Sequence, residues 1–96
     1  MFKGDEKDAN KRYVKYSTWR DKITLKWKQD YFLFPTELSK ILYVASYLEG
    51  DVYLAISEDV KHLMKYEDNT AVWKWDSGQA LLEALDGKYL TVDVKA

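Results

Sequence analysis

The sequence predicts a small α+β domain, on three observations. Apolar and basic residues alternate from Lys22 to Lys28, which indicates a strand with one buried face. The segment from Pro35 to Gly50 has the apolar spacing and end signals of an amphipathic helix. A strand followed by a capped helix then occurs twice, at 52–67 and 71–86. We therefore expect the order ββαβαβαβ: a mixed or antiparallel sheet of about five strands, with three helices packed mostly on one face.

The chain is long enough for one domain. Its 96 residues are 47% hydrophobic, which suits a single core without disulfide bonds. Residues 1–10 are polar and aperiodic and predict a flexible N-terminal tail, followed by one domain over 11–96.

A hairpin is expected to open the domain. Arg12 to Trp19 is rich in aromatic and β-branched residues and predicts a strand that pairs with 22–28 across a turn at Arg20-Asp21. Tyr31 to Phe34 is apolar on both faces. Gln29-Asp30 before it is either a second turn or an interruption in a continuing strand, and the sequence leaves both open.

The helix over 35–50 has the clearest signals. Thr36 is in position to cap its first turn, and Gly50 to end it in the left-handed conformation. Tyr43 and Tyr47 point away from its apolar arc, which consists of Leu38, Ile41, Leu42, Ala45 and Leu48.

The second half is expected to alternate strands and helices. Alternating apolar residues predict strands at 51–57 and 71–75, and Ser57 is in position to cap the helix between them. A third helix is expected to end at Gly87, before a last strand over 88–94.

The residue inventory argues against catalysis. There is no cysteine and only one histidine, His62, which lies on the outer side of a predicted helix. Glycine-rich phosphate loops and zinc or nucleophile motifs are also missing from the sequence. We expect a non-enzymatic protein with no cofactor and no bound metal. The lack of cysteine and of a long apolar run favours a cytoplasmic location.

Charge is uneven along the chain. Residues 1–48 carry a net charge of +4 and residues 49–96 a net charge of −5. The basic half makes a nucleic-acid-binding module one hypothesis, using the basic face of the predicted hairpin; the alternative is an ordinary solvated sheet surface. The residues of this face are Arg12, Lys15, Lys22, Lys26 and Lys28.

The leading hypothesis is protein binding. Tyr43 and Tyr47, with Lys40 beside them, form an amphipathic patch of a kind enriched at interfaces; the alternative is that a loop or the N-terminal strand covers the two tyrosines. Compact domains without motifs are commonly inhibitors, adaptors or regulators, phage-encoded ones included. We expect a protein partner, with a second copy of the chain as one candidate.

Overall fold

This computed structural model describes residues 2–89. They fold into four α-helices joined by connecting segments. Single 3₁₀ turns at Tyr31–Leu33 and Thr70–Val72 follow the first and third helices. The α+β prediction is wrong, because residues 2–89 contain no strand and only one isolated parallel bridge, between Phe2 and Leu48. The helices are α1 (Ala9–Gln29), α2 (Glu37–Ser46), α3 (Gly50–Lys65) and α4 (Gly78–Tyr89).

One long helix, α1, replaces the predicted hairpin. The expected strands over 12–19 and 22–28, and the expected turn at Arg20-Asp21, all lie inside it. The physical reason is the spacing of the apolar side chains, which recur every three or four residues and so share one side of a helix. These side chains are Tyr16, Trp19, Ile23 and Trp27.

Aspartates mark both ends of α1. The Asp8 carboxylate accepts the backbone N–H groups of Asn10 at 2.9 Å and Lys11 at 3.3 Å, as an N-cap does. At the other end the backbone N–H of Asp30 donates to the carbonyl of Lys26 at 2.9 Å. Asp30 therefore ends the helix, and Gln29-Asp30 leads into a turn.

The second helix lies within the segment where a helix was predicted. Thr36 caps it: its hydroxyl accepts the Ser39 N–H at 3.2 Å, and the Ser39 hydroxyl accepts the Thr36 N–H at 3.3 Å. The predicted end is wrong, because α2 stops at Ser46. Gly50, with a φ of +65°, is instead the first residue of α3.

The strands predicted in the second half are also wrong. The expected strand over 51–57 belongs to α3, and the one over 71–75 is a 3₁₀ turn followed by irregular backbone. The predicted third helix corresponds to α4, which continues past Gly87 to Tyr89. The last predicted strand, 88–94, thus begins inside a helix, and its remaining residues lie outside the described part. The inner face of α3 has helical spacing and consists of Val52, Ile56, Val60 and Leu63.

The segment before α1 contributes to the core. Phe2, within the predicted tail, is buried, and its ring packs edge-on against Tyr16 and Tyr89 at centroid distances of 5.2 and 5.0 Å. Its N–H donates to the carbonyl of Tyr47, and its carbonyl accepts the N–H of Glu49, both at 3.1 Å. These bonds attach the start of the chain to the connection between α2 and α3.

A hydrogen-bonded cluster joins α1 to α4. The Tyr16 hydroxyl donates to Oδ1 of Asp86 at 2.6 Å, and Nε of Arg20 donates to the same oxygen at 2.7 Å. The Tyr16 hydroxyl also lies 3.3 Å from the carbonyl of Leu82. Burial, followed by the bond to Asp86, raises the pKa of Tyr16 well above its ordinary value. The buried phenol is therefore a neutral donor at physiological pH.

A tight contact joins α2 to α4. Oε1 of Glu37 accepts the backbone N–H of Gly78 at 3.1 Å, and Oε2 of Glu37 lies 3.3 Å from Nζ of Lys40. A Cβ added at Gly78 would stand 2.7 Å from Cβ of Lys40 and 2.9 Å from the Trp27 ring. The two helices approach this closely because position 78 has no side chain.

Candidate interaction surfaces

An exposed apolar turn connects α1 to α2. Tyr31, Phe32 and Leu33 are 74%, 67% and 53% exposed. The turn is regular, since the Leu33 N–H donates to the Asp30 carbonyl at 2.8 Å and the Phe34 N–H to the Tyr31 carbonyl at 3.0 Å. Three consecutive large apolar side chains are thus held toward solvent by an ordered backbone.

Phe34 anchors this turn to α2. Its side chain is buried, and its ring meets Tyr43 edge-on with a centroid distance of 5.0 Å. Tyr43 in turn packs against Tyr47 at 4.7 Å. The turn and the two tyrosines are therefore linked through ring contacts. We call the set Tyr31, Phe32, Leu33, Tyr43 and Tyr47 the aromatic surface.

The two tyrosines of the predicted site differ in exposure. Tyr43 is half-buried beneath Phe34 and Tyr47, whereas Tyr47, at the C-cap of α2, is 40% exposed. Burial raises the pKa of Tyr43 to about 12, with smaller contributions from the Tyr47 hydroxyl and from Asp30. Tyr47 is therefore the more accessible of the two rings, and Tyr43 supports it from below.

Lys40 is directed elsewhere. Its Nζ pairs with Glu37 at 3.3 Å and lies 5.7 Å from the centroid of the Trp27 ring. The structure therefore brings Tyr43 and Tyr47 together and places the Lys40 ammonium at the junction of α2 with α1 and α4.

The predicted basic residues all lie on α1. At 100° per residue, Lys15, Lys22 and Lys26 fall within an arc of about 40°, and Lys11 extends that arc to about 60°. Lys28 lies about 100° or more away from it. Nη1 of Arg12 donates to the Glu6 carbonyl at 3.0 Å. The helix thus assembles a different basic face from the one expected on a sheet.

Two of these lysines have carboxylate partners. Nζ of Lys15 lies 3.0 Å from Oε2 of Glu6, and Lys26 forms an ion pair with Asp30. Lys11 and Lys22 form no ion pair with any residue in 2–89. We call Lys11, Lys15, Lys22 and Lys26 the lysine stripe.

The exposed turn is the feature that sequence reasoning left undetermined. Its signal was available: an apolar run of four residues between Asp30 and Pro35 is too short to form a helix and has no alternating polar face. What the sequence does not show is that only Phe34 of the four is buried.

Histidine and carboxylate side chains are dispersed over the described residues. Within 2–89, no three His, Cys, Asp or Glu side chains are grouped so that they could hold a metal ion. His62 is exposed, and its ring packs against Tyr66 at 4.8 Å. None of the helices in this part of the chain has both the length and the hydropathy needed to span a bilayer.

The fold and its surfaces define a small four-helix domain. The chain matches no protein-family model, and no match was found among curated proteins or solved structures.

Proposed function

We propose that this protein is non-enzymatic and acts by binding another protein chain through the aromatic surface, as an inhibitor, adaptor or regulator. The observation that carries the proposal is the exposed turn of Tyr31, Phe32 and Leu33. Runs of three large apolar side chains on a surface are unfavourable in isolation and typically mark an interface.

Burial of this turn supplies a substantial driving force. Complete burial of a large apolar side chain contributes about 1.5–3 kcal/mol. Since each of the three is already partly covered, covering the rest contributes about 3–6 kcal/mol in total. Every 1.4 kcal/mol is a factor of about ten in affinity, so the turn can account for a factor of about 100 to 20,000.

The turn is also preorganised. Its backbone hydrogen bonds and the buried Phe34 hold the backbone of the turn in one arrangement before a partner arrives. Binding to a rigid surface loses less conformational entropy than ordering a mobile loop. Tyr47 extends the surface with a ring and a hydroxyl at its edge.

A second copy of the chain is the first partner to test, because an exposed apolar surface present on every copy can pair with itself. We place the protein in the cytoplasm, where a binding domain without cysteine needs no disulfide.

Phe32 and Leu54 offer a matched comparison, since both are 67% exposed and they lie on different elements. Phe32→Gln is expected to weaken association at least tenfold, whereas Leu54→Gln leaves it unchanged. Light scattering over a concentration series measures self-association. A photo-crosslinking residue placed at 32 or at 54 then compares the two positions in host extract.

The proposal predicts a crosslinked band that depends on position 32 and disappears with an additional Tyr47→Gln substitution. It is refuted if both variants behave alike in scattering and both crosslinking positions label the same proteins. Circular dichroism of each variant establishes that the helices are retained.

A further inference from the structure

The charge of this domain is concentrated on one helix. α1 carries seven Lys or Arg residues against one Asp, a net charge of +6, and the rest of the chain carries a net charge of −7. Arg20 is engaged by Asp86 at the junction with α4. Four of the remaining cations, Lys11, Lys15, Lys22 and Lys26, share one arc of the helix, so this part of the surface has a local excess of lysines although the whole protein is nearly neutral.

The lysine stripe gives this charge a defined shape. From Lys11 to Lys26 the helix rises about 22 Å, and the four lysines stay within the arc of about 60° given above. Three side chains of α1 are buried. Tyr16 and Ile23 lie on another side of the helix, and Trp19 lies at the border of the stripe, about 20° from Lys26. The stripe is therefore a straight row of cations on a fixed support.

Acidic neighbours reduce this charge. Glu6 pairs with Lys15 and Asp30 with Lys26, both at the surface. Asp5 lines the same surface groove as Lys15 and Lys22, and the Asp8 carboxylate accepts the backbone N–H of Lys11. Exposed ion pairs of this kind contribute little to stability, and phosphates can replace their carboxylates. Asp21 is the one acidic residue within α1 and lies about 80° beyond the nearest lysine of the stripe.

We propose that the lysine stripe binds the phosphate backbone of nucleic acid, without reading its sequence. Duplex DNA carries one charge per about 1.7 Å of its axis with both strands counted, so a duplex segment as long as the stripe carries about 13 phosphate charges. The stripe can contact those on the side that faces it. An anionic membrane fits less well, because a helix that lies in the lipid interface needs a free apolar face. Most of the large apolar side chains of α1 are instead packed against the core. Only two of them, Val14 and Leu25, are more than half exposed, which is too small a surface for such a face.

Salt dependence provides the first measurement. Fluorescence anisotropy with a labelled 20-base-pair duplex follows binding between 50 and 200 mM salt. Four lysine contacts predict a slope of log K against log salt of about −3.6, a loss of about 150-fold over this range. Lys11→Gln with Lys22→Gln removes the two lysines without an ion pair and halves that slope to about −1.8.

A charge-matched control separates the stripe from overall charge. Lys61→Gln with Lys65→Gln removes the same charge from the exposed side of α3 and leaves the slope unchanged. Lys28→Gln is a control on the same helix and is expected to reduce duplex affinity less than Lys22→Gln does. The Phe32→Gln variant binds the duplex normally, so this test is independent of the protein-binding proposal.

Four results would overturn the proposal. They are no binding at 50 mM salt, equal losses in the two double variants, binding of phosphatidylserine vesicles without binding of the duplex, and binding of polyglutamate without binding of the duplex. The last two would assign the stripe to a lipid surface or to an acidic protein.

Discussion

The substitution Tyr16→Phe tests the junction of α1 and α4 with the smallest change in shape. It removes one hydroxyl, which donates to Asp86 at 2.6 Å inside the core. A hydrogen bond to a charged acceptor contributes about 1.5–3 kcal/mol. Because Asp86 keeps its bond to Arg20, we expect the lower part of that range, a loss of about 2 kcal/mol in the free energy of unfolding at pH 7. Urea unfolding followed by tryptophan fluorescence measures it.

The same bond predicts how the difference in the free energy of unfolding between the parent and Tyr16→Phe changes with pH. Tyrosine in an unfolded chain titrates near a pKa of 10, and the pKa of Tyr16 in the folded chain is raised. Its contribution is therefore complete below pH 10 and is lost as the pH rises, since the unfolded chain releases a proton that the folded chain retains. The loss is about 1.4 kcal/mol per pH unit, so the advantage over Tyr16→Phe disappears near about pH 11.4.

Tyr31→Phe is the control, because Tyr31 is 74% exposed. It is expected to change stability by less than about 0.5 kcal/mol at any pH in the series. The reasoning is refuted if Tyr16→Phe is as stable as the parent at pH 7, or if their difference is the same at pH 9 and pH 11.5.

Three further stability predictions follow from close contacts. Gly78→Ala is expected to lower the free energy of unfolding by about 1–3 kcal/mol through the clash with Lys40. Gly87→Ala, whose Cβ would have no contact within 4 Å outside its own stretch of helix, is expected to be neutral or to stabilise by up to about 1 kcal/mol. Thermal unfolding distinguishes the two variants, and equal effects would contradict the close contact at Gly78. Phe2→Ala is expected to cost about 3–5 kcal/mol in urea unfolding, whereas a cost below about 0.5 kcal/mol would mean that the N-terminal segment does not pack. Glu37→Ala removes the acceptor for the first N–H of α4 and is expected to cost about 1 kcal/mol, with Glu37→Gln, which keeps an acceptor oxygen, costing less.

Two exposed leucines explain why helices were predicted as strands. In the expected strand over 22–28, Leu25 completed the alternation with Ile23 and Trp27. In the expected strand at 51–57, Leu54 did so between Val52 and Ile56. Both leucines are exposed on helices, at 51% and 67%. Apolar residues at i and i+4 suit a helix as well as a strand. A leucine midway between them makes the pattern alternate every two residues, which led to the strand predictions.

The capping signals were more reliable than the periodicity. Thr36 predicted the start of α2 because its geometry depends on local backbone groups only. Gly50 was assigned to the wrong helix, because a left-handed glycine also suits the link between two helices. The helical pattern of the predicted helix over 35–50 was enough to identify Tyr43 and Tyr47 as candidate site residues. The exposure of the turn before that helix depends on how α1 and α2 pack, which no local pattern specifies.

The change of fold also changes which basic residues can act together. On a strand, Lys22, Lys26 and Lys28 share a face because side chains alternate every two residues. On α1, Lys22 and Lys26 stay together and Lys28 turns away. Lys15 and Lys11 join them from about two and three helical turns upstream of Lys22. A sheet would have mixed these lysines with neighbouring strands, but a straight helix places them in a single row. The nucleic-acid hypothesis therefore acquires a specific geometry only when the strand prediction is abandoned, and the contrast between Lys22→Gln and Lys28→Gln follows from that geometry alone.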